Sequence, residues 1–288
     1  MSNTSRRNFL KASGAVAAVA CAGIENLPAA PLHMPIGLEL YSVRSLAPKD
    51  LDGTLAKVRA AGYTVAEAAG FYDRSAVDLR KSLDNAGIRC ISAHYNLALL
   101  RSGLDPLLEY ANALGLEYMI CSSSGGIHRD PAVKGAPTLD DWRYIAGEFN
   151  RIGEKTKAAG ITFGVHNHIP EFQVYDGVTT YDELLRLTDP KLVVFEMDCG
   201  WVSAAGRDPI EYLKKTPERF PLMHLKDVAK GADGKFHSAA LGEGKMDYAP
   251  IMRAATGLKQ YFIEQEEFDR DPMVELTVEA EYMRKLNV

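Results

Sequence analysis

The chain has 288 residues, of which 47% are hydrophobic and 25% charged, with a formal charge of −5. This is enough apolar material for one large core, and a single domain is expected. Lys and Arg are scattered and leave no basic footprint for a nucleic acid, while the four cysteines form no CxxC pair, which argues against a disulfide framework or a Cys-based zinc site.

Residues 1–30 read as an export signal. Ser5-Arg6-Arg7-Asn8-Phe9-Leu10-Lys11 is followed by the small apolar run Ala12–Gly23, too short to span a bilayer stably. The pattern is that of a twin-arginine signal, so a periplasmic protein without a stable membrane span is expected, with cleavage near Ala29-Ala30. Cys21 follows Ala18-Val19-Ala20, which makes only a weak lipoprotein box.

The remainder, 31–288, alternates short β-branched or apolar runs with helical patterns, as βα units of a parallel sheet do. The spacing predicts strands at Ile36–Tyr41, Thr64–Ala68, Arg89–Ala93, Tyr118–Cys121, Thr162–His166, Leu192–Met197, Leu222–Leu225 and Gln260–Ile263. Helices are predicted at Leu51–Ala61, Ser75–Ala86, Pro106–Leu114, Leu139–Ala159, Tyr181–Leu187, Pro209–Lys215, Ala249–Thr256 and Val274–Leu286. Glycine stands just past a helix and just before a strand at Gly62, Gly87, Gly115 and Gly160. Eight such units make a (β/α)8 TIM barrel in the α/β class, with the irregular stretches Ser122–Thr138 and Val228–Tyr248 on the strand-exit side, where barrels carry their chemistry.

Four segments place metal-capable groups where an apolar run ends: Phe163–His168, Val193–Asp198, Pro221–His224 and Tyr261–Glu264. They recur at roughly the length of one strand–helix–loop unit, about 25 to 40 residues. His166 and His168 share one face of their strand, as do Glu196 and Asp198, because strand side chains alternate. A metal site at the barrel mouth is expected from His166, Asp198, His224 and Glu264. Two imidazoles with two carboxylates favour one divalent ion of Mn, Co, Fe or Zn over Mg or Ca.

These residues resemble the sugar phosphate isomerase/epimerase family with its xylose isomerase-like barrel, over roughly residues 36 to 285. Asp198 in FEMDCGW, His224 in MHLKD and Glu264 in FIEQEEF match three of the family's four ligand positions. His166 in GVHNHIPEF stands where many members carry glutamate, a variant associated with members that share an HNHxxEF motif. The resemblance implies a metal-dependent isomerase or epimerase acting through an enediolate on a non-phosphorylated sugar or keto sugar. Glu264 is then the leading proton-transfer group, acting either with a second group such as His168 or Glu171, or as a single base in an elimination. Glu39, His94, Lys226 and Trp201 are the expected substrate contacts. Trp201 departs from the family pattern, in which several members have histidine. Two other readings stand beside this one: a lyase or hydrolase of 3-keto-glycosides on the same site, and a catalytically inactive periplasmic sugar-binding protein. The expected partner is a small carbohydrate, not a nucleic acid, and a homo-oligomer is left open.

Overall fold

A computed structural model describes residues 34–124, 128–130 and 132–288. The export segment, its cleavage site and Cys21 lie outside them. Among the described residues no helix is long and apolar enough to cross a membrane.

Eight parallel strands close into a barrel: β1 (Gly37–Glu39), β2 (Val65–Ala68), β3 (Arg89–Asn96), β4 (Tyr118–Ser123), β5 (Thr162–His166), β6 (Val193–Asp198), β7 (Leu222–Leu225) and β8 (Gln260–Ile263). Each pairs with its sequence neighbours, and β8 closes onto β1 through Gly37↔Phe262 and Leu38↔Ile263. The principal connecting helices are α1 (Leu51–Ala61), α2 (Ala76–Ala86), α3 (Leu104–Leu114), α4 (Leu139–Ala158), α5 (Thr180–Leu187), α6 (Pro209–Lys215), α7 (Tyr248–Ala254) and α8 (Pro272–Lys285).

Two apolar regions hold this frame. Side chains on the outer strand faces, such as Phe163, Phe195 and Tyr261, pack against the helices in one large cluster. Inside the barrel, Val65, Ile91, Ile120, Leu222 and Phe262 form a separate plug. Full burial of a side chain of this size stabilises by about 1.5–3 kcal/mol, so the plug gives the lumen a dry floor on which polar groups can stand.

The structure corrects several sequence-based boundaries. The first strand stops at Glu39, whose carboxylate accepts the Tyr41 N–H and starts a 3-10 turn at Leu40–Val43. The third runs on to Asn96, which caps an unforeseen helix at Leu97–Ser102. Another helix, Cys199–Ala204, starts directly on Asp198. Both are short and depend on their caps more than on apolar periodicity, which hides them in a pattern search. The stretch after β7 is not irregular throughout, since Asp227–Lys230 and Phe236–Ala239 pair as an antiparallel hairpin. A smaller hairpin joins Val174–Tyr175 to Val178–Thr179.

Candidate metal centre and active site

Strand alternation sends a tier of polar side chains into the lumen above the apolar plug. Cα register pairs His166 with Glu196 and Asp198 with His224 across β5, β6 and β7, and Glu39 with Glu67 across β1 and β2. Glu39, Glu67, Glu196, Asp198, His224 and Lys226 are wholly buried, and His166 and Glu264 nearly so.

The imidazoles and carboxylates interlock. His224 meets Glu264 Oε2 through Nδ1 at 2.8 Å and Glu67 Oε1 through Nε2 at 2.9 Å. His94 Nε2 lies 2.7 Å from Glu67 Oε1 and 2.8 Å from Glu196 Oε2. His166 has Nδ1 at 3.2 Å from Glu196 Oε2 and Nε2 at 4.0 Å from Asp198 Oδ2. Lys226 Nζ sits 3.3 Å from Asp198 Oδ2 and 2.9 Å from Glu264 Oε2, contacts Glu266, and lies 4.7 Å from the Trp201 ring centre.

His166, Asp198, His224 and Glu264 each offer one ligand atom, and these four atoms lie within 4.8 Å of one another. Asp198 divides its two oxygens. Oδ1 accepts the Trp201 N–H at 2.8 Å and caps the following helix. Oδ2 has no hydrogen-bond partner among the described residues, and Lys226 attracts it only from outside hydrogen-bonding geometry. The mixed nitrogen and oxygen donors, the converging geometry and this free oxygen all fit a divalent ion. Gly200 is needed for the approach, because a Cβ there would stand 2.4 Å from the Lys226 carbonyl oxygen.

Electrostatics divide the groups into distinct protonation states. Burial lifts the Asp198 carboxyl to about 6 against the pull of Lys226. Burial acts the same way on Glu264, yet Lys226 and His224 hold that carboxyl well below the usual range. Burial works downward on His224 and His94, but the surrounding glutamates prevail and hold both imidazoles well above their ordinary value. For His166, burial combines with the neighbouring His224 and His168 to keep the ring neutral.

Above this tier opens a cavity of about 460 Å³, lined by residues that include His94, His166, His168, Glu171 and Glu264. The three expected proton-transfer residues, Glu264, Glu171 and His168, therefore face one space. Burial, then Lys226, brings the His168 imidazole down to about 4. Burial raises the Glu171 carboxyl to about 7, although it accepts the His168 backbone N–H at 2.9 Å and the Ser124 hydroxyl at 3.3 Å. Of the four expected substrate contacts, His94 lines the cavity, whereas Glu39, Lys226 and Trp201 lie outside its lining. Glu39 sits in the buried tier, and Lys226 beside Trp201.

Sequence reasoning missed Ser124 and Trp142, which line the cavity from the end of β4 and the start of α4. The Trp142 indole N–H has no partner among the described residues. Neither residue belongs to a motif, and only the fold brings them to the mouth.

Residues 55–286 match the family model described as a xylose isomerase-like TIM barrel. The chain belongs to that family. Within the xylose isomerase-like barrels, two crystal structures of sugar phosphate isomerase/epimerases from Parabacteroides distasonis superpose with TM-scores of 0.73 and 0.71 at 28% and 27% identity. They cover 87% of this chain, and 98% and 93% of their own. A relative named inosose dehydratase from Geobacillus kaustophilus is 27% identical over 231 residues, 69% of this chain and 74% of its own length. A second inosose dehydratase, from Clostridium perfringens, is 25% identical over 226 residues, 69% and 75% of the two lengths. A zinc-bound IolI protein shares the fold at TM-score 0.65 and 13% identity, covering 86% of this chain and 96% of its own. Residues 3–23 match the twin-arginine translocation signal, which marks the chain for export by that route.

Proposed function

We propose that this protein is a divalent-metal-dependent lyase that removes a β-leaving group from a non-phosphorylated cyclic polyhydroxy ketone in the periplasm. His166, Asp198, His224 and Glu264 would hold the ion. When bound, the ion supplies Lewis-acid stabilisation of negative charge developing on the substrate's carbonyl and adjacent oxygen, worth several kcal/mol.

The observation that carries the reading is that the His168 imidazole and the Glu171 carboxyl line one cavity in opposite protonation preferences, with the His168 backbone N–H donating to Glu171. An imidazole near 4 is a neutral, uncharged base at physiological pH, and a carboxyl near 7 keeps a substantial protonated fraction. In an elimination, His168 takes the hydrogen from the carbon next to the carbonyl and the electron pair forms the new double bond. The carbon–oxygen bond one carbon further on breaks, and Glu171 gives its proton to the departing oxygen. His94, the Ser124 hydroxyl and the Trp142 N–H supply contacts for substrate hydroxyls. The dehydratase names of the relatives support the same reaction class.

Epimerisation is the second reading. It is supported by the isomerase/epimerase structures and by Glu264, a proton acceptor in the same cavity as His168. Metal-loaded protein incubated with inososes, keto sugars and 3-keto-glycosides in deuterated water separates the two. Loss of water or an aglycone, with an unsaturated ketone formed, supports elimination. Solvent deuterium retained in an intact, inverted sugar supports epimerisation. Binding without either change would leave a sugar-binding protein.

A further inference from the structure

The metal reading leaves one feature unexplained. A histidine occupies the β5 position, and an imidazole can ligate only through a nitrogen that carries no hydrogen. A neutral ring has one such nitrogen, and its second neighbour decides which. Glu196 is the register partner of His166 on β6. Its Oε2 lies 3.2 Å from His166 Nδ1, while His166 Nε2 faces Asp198 Oδ2 at 4.0 Å. Both side chains are at most 1% exposed, so bulk solvent competes little for either contact.

We propose that Glu196 is a positioning residue that accepts the Nδ1 hydrogen of His166, and so turns the Nε2 lone pair toward the metal position shared with Asp198. The inference rests on the metal reading and deepens it. A glutamate ligand needs no such partner, so the histidine at β5 and the glutamate two residues before Asp198 form one device. Glu67 stands in the same relation to His224, accepting at Nε2 and leaving Nδ1 on the Glu264 side. Carboxylates behind ligating histidines commonly contribute 10- to 100-fold in metal affinity. Glu196 Oε2 also lies within reach of His94 and His224, and His94, His166, Glu196 and His224 could themselves surround an ion. The experiment must therefore distinguish orientation from direct ligation.

Cobalt binding to the mature protein would be titrated against a competing chelator for wild type, Glu196→Gln, His166→Ala and the double variant. The expected result is one ion per chain, a loss of about 10- to 100-fold for Glu196→Gln, and a double variant no weaker than His166→Ala. Nitrogen-15 NMR of the zinc-loaded wild type, with the His166 signals assigned by the alanine variant, should show the hydrogen on Nδ1. A hydrogen on Nε2, unchanged affinity in Glu196→Gln, or fully additive losses would overturn the proposal. So would two ions in wild type falling to one in Glu196→Gln, because Glu196 would then be a ligand. If wild type takes up no ion, the metal reading itself fails, which separates the two failures. The wild-type NMR measurement decides even if Glu196→Gln does not fold.

Discussion

Among the described residues Glu171 has no cationic partner, and that isolation defines its chemistry. Burial raises its carboxyl to about 7, and the two hydrogen bonds it accepts only partly offset the effect. As a proton donor it must be neutral, so turnover of the metal-saturated protein should hold steady from about pH 4, where His168 loses its proton, to about pH 7, and fall by about tenfold per unit above that. Glu171→Gln keeps the shape but has no proton to give. Its kcat should drop by about 10²- to 10⁴-fold, with metal affinity unchanged and the alkaline limb gone from the pH–rate profile. A variant that retains that limb would remove Glu171 from the acid role. Much of the candidate site was legible in single residues, because His166, Asp198, His224 and Glu264 each end an apolar run and bring ligand atoms within 4.8 Å of one another. Alternation also placed Glu196 on the face of Asp198, although its contact with His166 depends on inter-strand register, which one sequence does not display.

Strand and helix positions followed from pattern wherever burial was periodic or an end was marked. Gly62, Gly87 and Gly115 close α1, α2 and α3 in left-handed conformations that side chains resist. The segment after β7 escaped this logic because its glycine-rich part, beyond the hairpin, is gathered largely by one side chain. Asp227 accepts backbone N–H groups from Val228, Gly242, Gly244 and Met246 and folds the glycine-rich loop over itself. Gly244 fits because a Cβ there would sit 2.2 Å from Asp227 Oδ1. Asp227→Ala should leave these donors unpaired and lower unfolding free energy by at least about 3 kcal/mol, with new protease cleavage within 240–247. Unchanged denaturant midpoints would show that the loop has other support. Glu279 on α8 gives a second test. It accepts the Leu241 N–H at 3.2 Å, and burial raises its carboxyl to about 8. The folded state then keeps a proton that the unfolded chain releases above about 4.5, so this group's contribution to stability falls as pH rises from there to about 8. Glu279→Gln should remove that slope and exceed wild type at pH 9 by on the order of 1–3 kcal/mol, measured by urea unfolding at both ends of the range.

The barrel as an assembly concentrates buried charge at one end, above a dry floor, and this couples metal binding to both acidity and stability. The carboxylates around His224 hold its imidazole well above the ordinary value, so the ring carries a proton when no ion is present. An ion must displace that proton before Nδ1 can ligate, and each unit of pH below the raised value should cost about tenfold in apparent affinity. Affinity should therefore climb through neutrality, and titration calorimetry in buffers of different ionisation heat should register proton release on binding. Coordination also engages Asp198 Oδ2, which accepts no hydrogen bond among the described residues, and relieves repulsion between Asp198 and Glu264. An ion present at about 100 times its Kd stabilises the folded state by about 2.7 kcal/mol, which for a domain of this size raises Tm by roughly 5 to 10 °C. The rise should shrink as pH falls, because the proton on His224 competes, and it should vanish in Asp198→Asn combined with Glu264→Gln. A Tm that ignores divalent ions at every pH would mean that these side chains balance one another's charge without an ion, and that the lumen is a closed ionic network.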